Sequence, residues 1–414
     1  MARSVAELPK GTRISDYVSL GVLATAVPLS QVKAVLTKQK KVSRRERDLP
    51  AHVVVYYVIA LALFMQVSYR EVLRCLLEGW AWLRGPGETV KITGKSGISQ
   101  ARTRLGWEVL RQLYDEVVKP LAMPKTRGAW YRHWHLVSLD GSTLEVADEE
   151  ENAQAFGRPG ASRGTSAYPQ IRFVALVENG THVLFGSRLA GYATGETTLA
   201  AEVVKTLAKG MLCLADRNFF GFELWNQARA GGADLLWRIK KNLRLPADKR
   251  LPDGSYLSRI YGSQWDRRHP SSGVVVRVID YRLEGVAEVE PLYRLVTTLL
   301  DPAQAPAEEL AALYQERWEI EGALAELKTH PRGAQIVLRS KTPDLVRQEF
   351  YGLLLAHFAA RGLIDQAALQ AGKDPDRLSF LRTVRVLRRK LPLDGAISPS
   401  EEEGVPCSGV RCRR

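Results

Sequence analysis

Helical spacing of apolar residues dominates the first part of the chain, residues 1–125. The apolar run Val53–Met65 has thirteen residues, short of the roughly 20 that a membrane-spanning helix needs, so it predicts a buried helix. Ser68 and Glu71 have the spacing of a capping box that leads into a helix over 72–83. A further helix is predicted from 99 to about 121. These patterns indicate a helical amino-terminal domain.

From His135 onward the pattern changes to alternating strands and helices. Short apolar runs bounded by turn residues predict strands, and longer runs with helical spacing predict the helices between them. Three neighbouring strands followed by alternating helices and strands fit a mixed sheet. The predicted strands are 135–140, 171–177, 182–189, 211–216 and 235–240, and the predicted helices are 196–208 and 222–230.

Residues 241–295 lose this alternation. Prolines and glycines break up β-rich runs at 274–281 and 293–300, which predicts a β-rich insertion in the α/β domain. Helices are predicted again at 345–370 and 378–391, and the charged tail is expected to be disordered. The predicted segments are the helical domain 1–125, an α/β core in two parts (130–240 and 296–395), the insertion 241–295 and the tail 396–414.

Composition and charge narrow the class of protein. The 414 residues include 59 Lys+Arg against 45 Asp+Glu, a net charge of +14, which favours polyanionic partners, with nucleic acid first among them. The four cysteines have no spacing suited to a zinc site or a dense disulfide framework. The amino terminus has no apolar core of signal-peptide type. We therefore expect a cytoplasmic protein that does not span a membrane.

Two aspartates follow apolar strands. Asp140 closes the strand 135–140 and Asp216 closes the strand 211–216. Gly141, directly after the first, is expected to mark a turn, so both carboxylates should stand at strand carboxyl ends, where open α/β sheets hold ligands. Each aspartate alone would also suit the start of a helix as a cap.

A third carboxylate lies within a charged stripe of the segment Tyr314–Thr329. If this segment is one α-helix, four polar residues share a stripe about 60° wide. They are Tyr314, Arg317, Glu321 and Lys328. A solvated helix with a surface pair between Arg317 and Glu321 would produce the same pattern. Two strand-end aspartates and this glutamate together can hold two divalent ions about 3.5–4 Å apart for attack on a phosphodiester. Such sites favour Mg²⁺ or Mn²⁺.

These residues resemble a known family, the bacterial DDE transposases of the insertion element four type. The resemblance is carried by Asp140, by the Asp-Arg-Asn-Phe segment 216–219, by the Tyr-x2-Arg-x3-Glu-x6-Lys signature from Tyr314 to Lys328, and by the amino-terminal stretches 44–50 and 61–71. It implies a ribonuclease-H-like mixed sheet flanked by helices, interrupted by a β-rich insertion, with a helical amino-terminal domain that recognises DNA ends. It also implies catalysis by Asp140, Asp216 and Glu321 with Mg²⁺, for which Mn²⁺ substitutes.

The resemblance further implies partners and DNA contacts. The expected partners are the terminal inverted repeats of a mobile element and target DNA, bound by a homodimer at the bacterial nucleoid. Trp318 could stack on a flipped base, as aromatic residues do in some relatives, or fill the core. The expected DNA contacts are Tyr314, Arg317 and Lys328 on the 5′ phosphate of the cut strand, Arg158 and Arg163 in the loop 157–164, and Arg44, Arg45 and Arg47 in the amino-terminal domain.

Rival sites and rival functions stay open from the sequence. The acidic run 148–151 lacks strand-end placement, and His133 with His135 lacks a third metal ligand. The favoured function is a cut-and-paste DNA transposase that cuts at element ends and joins the 3′-OH ends to target DNA. The alternatives are a catalytically silent DNA-binding protein derived from a transposase, which holds or represses element ends, and a nuclease that joins nothing.

Overall fold

A computed structural model describes nine stretches of the chain. They are residues 20–43, 49–65, 67–84, 94–161, 164–165, 168–268, 273–282, 292–328 and 337–389.

Helices occupy both ends of the described chain and alternate with strands in its middle. Their bounds are α1 Leu20–Ala26, α2 Leu29–Lys38, α3 Ala51–Leu63, α4 Tyr69–Arg84, α5 Lys95–Leu105, α6 Glu108–Val117, α7 Glu150–Phe156, α8 Glu196–Val203, α9 Phe222–Ala230, α10 Gln264–Arg267, α11 Ala307–Leu313, α12 Glu319–Lys328, α13 Pro343–Ala371 and α14 Phe380–Arg389.

The strands lie between α6 and α13. Their bounds are β1 Trp130–Tyr131, β2 Trp134–Val146, β3 Gly160–Ala161, β4 Gly164–Thr165, β5 Gln170–Glu178, β6 Val183–Gly191, β7 Met211–Ala215, β8 Asp234–Arg238, β9 Lys249–Arg250, β10 Tyr256–Ile260, β11 Val274–Tyr281, β12 Tyr293–Thr297 and β13 Val337–Leu338. All but β3 and β4 belong to one sheet.

The sheet is of the ribonuclease-H type. Its core has the order β6-β5-β2-β7-β8, with β5 antiparallel to both β2 and β6. β7 runs parallel to β2, and β8 runs parallel to β7. Numbered by their order along the chain, these five strands are arranged 3-2-1-4-5. The mixed sheet predicted from the sequence is therefore confirmed.

The β-rich insertion extends the core sheet. β12 pairs antiparallel with the edge strand β8, and β11, β10 and β9 follow outward in order. Arg277 on β11 is fully buried and donates to Ser255 Oγ at 2.8 Å and to the Ala305 carbonyl at 2.6 Å. Its ion pair with Asp253 compensates the buried charge. The strand expected at 274–281 is present with those bounds, and the strand expected at 293–300 is present but ends at Thr297. Both lengthen the existing sheet.

The amino-terminal helices pack on α13. The apolar run at 53–65 forms α3, which is buried on nearly all sides, as its composition predicts. A Cβ at Gly352 of α13 would lie 2.8 Å from the Val58 carbonyl oxygen, so glycine permits this close crossing. Arg102 of α5 is also buried, and it donates to Gln348 of α13 at 2.8 Å. The helical part and the core thus share one packed interior.

Of two details predicted for the helical part, one is confirmed and the other is wrong. Ser68 Oγ accepts the Glu71 backbone N–H at 3.2 Å, which confirms the cap at the start of α4. The single helix expected from 99 to 121 is instead two helices, α5 and α6. Gly106 lies between them with φ +79°, a backbone conformation that glycine adopts without steric cost.

The two faces of the sheet are covered differently. α13 packs on one face, where the Phe350 and Phe173 ring centroids lie 5.3 Å apart. On the other face α11 and Tyr314 form a smaller apolar cluster with strand residues such as Leu214 and Leu236. Within the described residues, no helix combines the length and apolar character needed to cross a membrane.

Candidate active site

Strand pairing brings Asp140 and Asp216 together. The parallel register of β2 and β7 places Leu139 opposite Ala215, and each aspartate is the next residue. β7 ends at Ala215, so Asp216 follows the strand as expected. The two aspartates therefore lie at the same level on neighbouring strands, where β7 stops.

Asp140 itself is inside a strand, which corrects the expected turn at Gly141. β2 continues to Val146 because β5 pairs with it on the other side, with Gly141 opposite Val174. Glu196, the first residue of α8, fills the space above Gly141, with its Oε1 3.1 Å from where a glycine Cβ would stand. Sequence reasoning did not select Glu196, although its place at the start of a predicted helix after the sheet was a usable signal.

Asp140 is short of compensating charge. Its side chain is 22% exposed, and it accepts the Gly141 N–H at 2.7 Å. Burial raises the pKa of this carboxyl to about 6, Glu196 and Asp216 add to the effect, and Arg317 opposes it. The charged form of Asp140 is therefore disfavoured mainly by burial, and the nearby acidic groups Glu196 and Asp216 add to the effect.

The segment that carries Glu321 is not one continuous helix. α11 ends at Leu313, a 3₁₀ turn spans Tyr314–Trp318, and α12 begins at Glu319. In a 3₁₀ turn, residues three apart eclipse one another, so Tyr314 and Arg317 still point to the same side. The stripe expected from an uninterrupted α-helix is therefore wrong in its geometry, although its first two residues stay aligned.

Arg317 lies between Glu321 and Asp140 and contacts both carboxylates. Its Nη1 lies 3.4 Å from Asp140 Oδ2, and its Nη2 lies 3.8 Å from Glu321 Oε1. The guanidinium is nearly buried, whereas the Glu321 side chain is half exposed. Asp140 and Glu321 thus face the same guanidinium group from two sides, and Asp216 lies next to Asp140.

The carboxylates of Asp140, Asp216 and Glu321 do not form one tight group of three. Among the described residues, the set of metal-ligand side chains whose ligand atoms all lie within 4.8 Å of each other is His182, Glu319 and Asp376. Asp140, Asp216 and Glu321 are spaced more widely, with Arg317 between the first and the last.

Tyr314 is a buried residue, which corrects its expected place on DNA. Its hydroxyl donates to the Ala215 carbonyl at 3.2 Å, and burial raises the pKa of the phenol well above its ordinary value. Ala215 directly precedes Asp216, so this hydrogen bond fixes the 3₁₀ turn against the end of β7. The apolar cluster on this sheet face is the reason that the ring points inward.

The family profiles match most of the chain. The transposase DDE domain matches residues 135–359, and the insertion element 4 transposase amino-terminal domain matches residues 17–115. The chain belongs to the insertion element 4 family of DDE transposases.

Two proteins of Escherichia coli K12 agree with this assignment, and one solved structure is also similar in fold. The transposase is 28% identical over 378 residues to transposase InsG for insertion sequence element IS4 of Escherichia coli K12, covering 88% of this chain and 81% of that protein. It is 24% identical over 223 residues to the putative transposase InsZ of the same strain, covering 53% and 71% respectively. A solved synaptic complex of the piggyBac transposase with hairpin DNA is similar over 91% of this chain and 81% of that one, with TM-score 0.46 and 11% identity.

Some of the side chains of the transposase that are expected to contact DNA are exposed, and others are half-buried or form an ion pair. Trp318 is 57% exposed with the Arg317 guanidinium 5.2 Å from its ring, so the core-filling interpretation is wrong. Lys328 ends α12 and is half-buried. Arg158 forms an ion pair with Asp148. Arg44, Arg45, Arg47 and Arg163 lie outside the described residues, as does the tail 396–414.

The rival metal sites have other partners. His135 Nε2 lies 2.6 Å from Glu178 Oε1, and the His133 ring lies tilted against Trp134, with the ring centroids 3.9 Å apart. In the acidic run 148–151, Glu149 pairs with Lys341. These contacts are structural, and they leave the neighbourhood of Asp140 as the candidate centre.

Proposed function

We propose that this transposase cuts DNA at the ends of an insertion sequence and joins the freed 3′-OH ends to target DNA, with Asp140, Asp216 and Glu321 as catalytic residues. The observation that carries the proposal is the register of β2 and β7, which aligns the two aspartates, together with the Arg317 contacts that link Asp140 to Glu321. Two carboxylates on neighbouring strands and a third from a helix can hold the two divalent ions of phosphodiester chemistry.

The residues present suit Mg²⁺, with Mn²⁺ as a substitute. All three donors are carboxylates, the hard oxygen ligands that these ions prefer. Burial raises the pKa of Asp140, with smaller contributions from Glu196 and Asp216, and a divalent cation bound beside this carboxylate would stabilise its charged form. When bound, the ions would supply a water of lowered pKa and stabilise the leaving 3′ oxygen. Asp140, Asp216 and Glu321 would hold them.

Arg317 has two roles in this proposal. Without DNA it holds Asp140 and Glu321 by its two Nη atoms. With DNA present it would turn its planar fork to the 5′ phosphate of the cut strand, where Lys328 adds a point charge. Tyr314 is a positioning residue, because its hydroxyl fixes the 3₁₀ turn to the strand that ends before Asp216.

Other contacts place the DNA around this centre. Exposed Trp318 would stack on a base next to the cut, an interaction worth about 1–3 kcal/mol. The arginines at 44, 45, 47, 158 and 163 would contact the DNA backbone, consistent with the net charge of +14. Paired element ends call for a homodimer, working in the cytoplasm at the nucleoid.

A plasmid assay tests the proposal. Supercoiled DNA carrying the element's two ends is incubated with the transposase and Mg²⁺ or Mn²⁺, and nicked, excised and joined products are separated on a gel. We expect Asp216→Asn and Glu321→Gln to abolish every product while DNA binding persists. Glu308→Gln, which changes an exposed glutamate of α11, is the matched control and should cut normally.

Each other outcome points elsewhere. Binding without any cutting in either metal would favour the silent DNA-binding protein. Cutting without joined products would indicate a nuclease. Cutting that survives both carboxylate replacements would refute the assignment of the catalytic residues.

A further inference from the structure

A second group of metal-ligand side chains lies behind the helix that carries Glu321. His182 stands in the turn between β5 and β6, Glu319 in the first turn of α12, and Asp376 in the 3₁₀ turn Pro375–Arg377. His182 Nε2 lies 3.1 Å from Asp376 Oδ1 and 4.0 Å from Glu319 Oε2. Three segments that are distant along the chain therefore converge on one point.

The imidazole at this point lacks a hydrogen-bond partner for Nε2. His182 is only 7% exposed, and its buried Nε2 makes no hydrogen bond although two carboxylate oxygens lie near it. Its backbone has φ +59°, an uncommon conformation for a residue with a side chain, and the fold holds it there. His182 Nε2 faces two carboxylates but is aligned for a hydrogen bond with neither. Ligands that surround a shared cation have this arrangement.

The charge balance also favours a cation. Glu326 is paired with Arg361, with Oε2 2.9 Å from Nε, so that arginine is already compensated. Within the part of the chain that the structure describes, neither Glu319 nor Asp376 forms an ion pair with a lysine or arginine. Partly buried carboxylates without a compensating charge are costly.

We propose that His182, Glu319 and Asp376 bind a Zn²⁺ ion. One imidazole and two carboxylates are ligands that zinc accepts, and water would complete a tetrahedral shell. Glu326 Oε1 lies 3.6 Å from His182 Nδ1 and would accept its proton, as carboxylates do for metal-bound histidines. The competing arrangement has Nδ1 accepting from Arg361 and Nε2–H directed at Asp376, with no metal.

The site would brace the catalytic helix. Glu319 and Glu321 are two residues apart, hence about 200° apart around α12. An ion on Glu319 would therefore hold the reverse side of the helix that presents Glu321, and would connect it to the β5–β6 turn and to the chain after α13. This role is separate from the catalytic metal site and does not depend on it.

Zinc binding by the full-length chain is the test. Asp140→Asn, Asp216→Asn and Glu321→Gln are combined so that the catalytic carboxylates cannot bind, and Zn²⁺ affinity is measured by competition with a chromophoric chelator. We expect about one Zn²⁺ per chain. Asp376→Asn and Glu319→Gln should each lower the Zn²⁺ affinity by at least about tenfold. Asp374→Asn, at the start of the same turn, keeps a side-chain oxygen that can accept the Asp376 N–H, so it is the matched control and should bind normally. No binding, or equal binding by Asp376→Asn, would overturn the proposal.

A spectroscopic measurement on cysteine variants distinguishes loss of a metal ligand from loss of folding. With Co²⁺ as the probe, Asp376→Cys should add a sulfur-to-cobalt charge-transfer absorption that Asp374→Cys lacks, since only position 376 faces the ion. Circular dichroism of each variant confirms that it is folded. Identical spectra for the two cysteine variants would favour the metal-free hydrogen-bonded cluster.

Discussion

Replacing Asp140 by asparagine should stabilise the metal-free transposase at neutral pH while it abolishes cleavage. Burial raises the pKa of this carboxyl from its ordinary 3.8 to about 6, with Glu196 and Asp216 contributing and Arg317 opposing. The charged form is therefore unfavourable in the folded state. An asparagine Oδ1 would still accept the Gly141 N–H that Asp140 accepts at 2.7 Å, so little else is lost.

The size and sign of the stability change in Asp140→Asn follow from the difference in proton binding between the folded and unfolded states. Raising the pKa from 3.8 to about 6 corresponds to about 3 kcal/mol of unfolding free energy. The side chain is 22% exposed and the Arg317 contact is also lost, so we expect about 1–3 kcal/mol. Because the folded state holds the proton more tightly, the stability that protonated Asp140 contributes is present below pH 3.8 and is lost as the pH rises through about 6. The gain in the variant should therefore be small at about pH 4 and complete above pH 7.

Urea unfolding in EDTA at about pH 4 and about pH 7.5 measures the difference. Asp148→Asn is the matched control, because Asp148 is half exposed beside Arg158 and should change stability by less than about 0.5 kcal/mol at either pH. A variant no more stable than wild type at pH 7.5, or a gain that is the same at both pH values, would refute the inference that Asp140 is a destabilised carboxylate awaiting a cation.

Four further substitutions test the packing and the role of the exposed tryptophan. Tyr314→Phe leaves the buried Ala215 carbonyl without its donor. This variant should lower the unfolding free energy by about 1–2 kcal/mol and slow cleavage. If a gel-shift assay shows a fall in DNA affinity instead, the hydroxyl does reach phosphate. Gly352→Ala pushes a methyl group against Val58 at 2.8 Å and should cost about 1–3 kcal/mol in urea unfolding. Gly362→Ala on the same helix, with its nearest neighbour at 3.7 Å, should be neutral or stabilising, and equal losses at both sites would contradict the close-crossing argument. Trp318→Ala should leave stability within about 0.5 kcal/mol, since the ring is exposed, yet reduce cleavage; unchanged cleavage would remove its stacking role.

Local pattern was sufficient for much of the architecture. The helix at 222–230 and the strand at 274–281 have the predicted bounds, because apolar spacing and flanking glycines are properties of short stretches of chain. The helix expected at 99–121 failed because amphipathic spacing continues across Gly106 whereas the backbone does not. Whether Tyr314 faces DNA or the core could not be read from its spacing, since a 3₁₀ turn and a neighbouring apolar cluster decided it.

By itself, the sequence determined the family, the order of the three acidic residues and the alternation of strands and helices, because these reside in residue identity and short-range spacing. Only the tertiary structure decided that Asp140 lies inside a strand level with Asp216, that Arg317 stands between Asp140 and Glu321, and that the insertion lengthens the core sheet. The physical reason is that strand register, burial and the meeting of charged groups depend on contacts between residues far apart along the chain, which local periodicity does not encode.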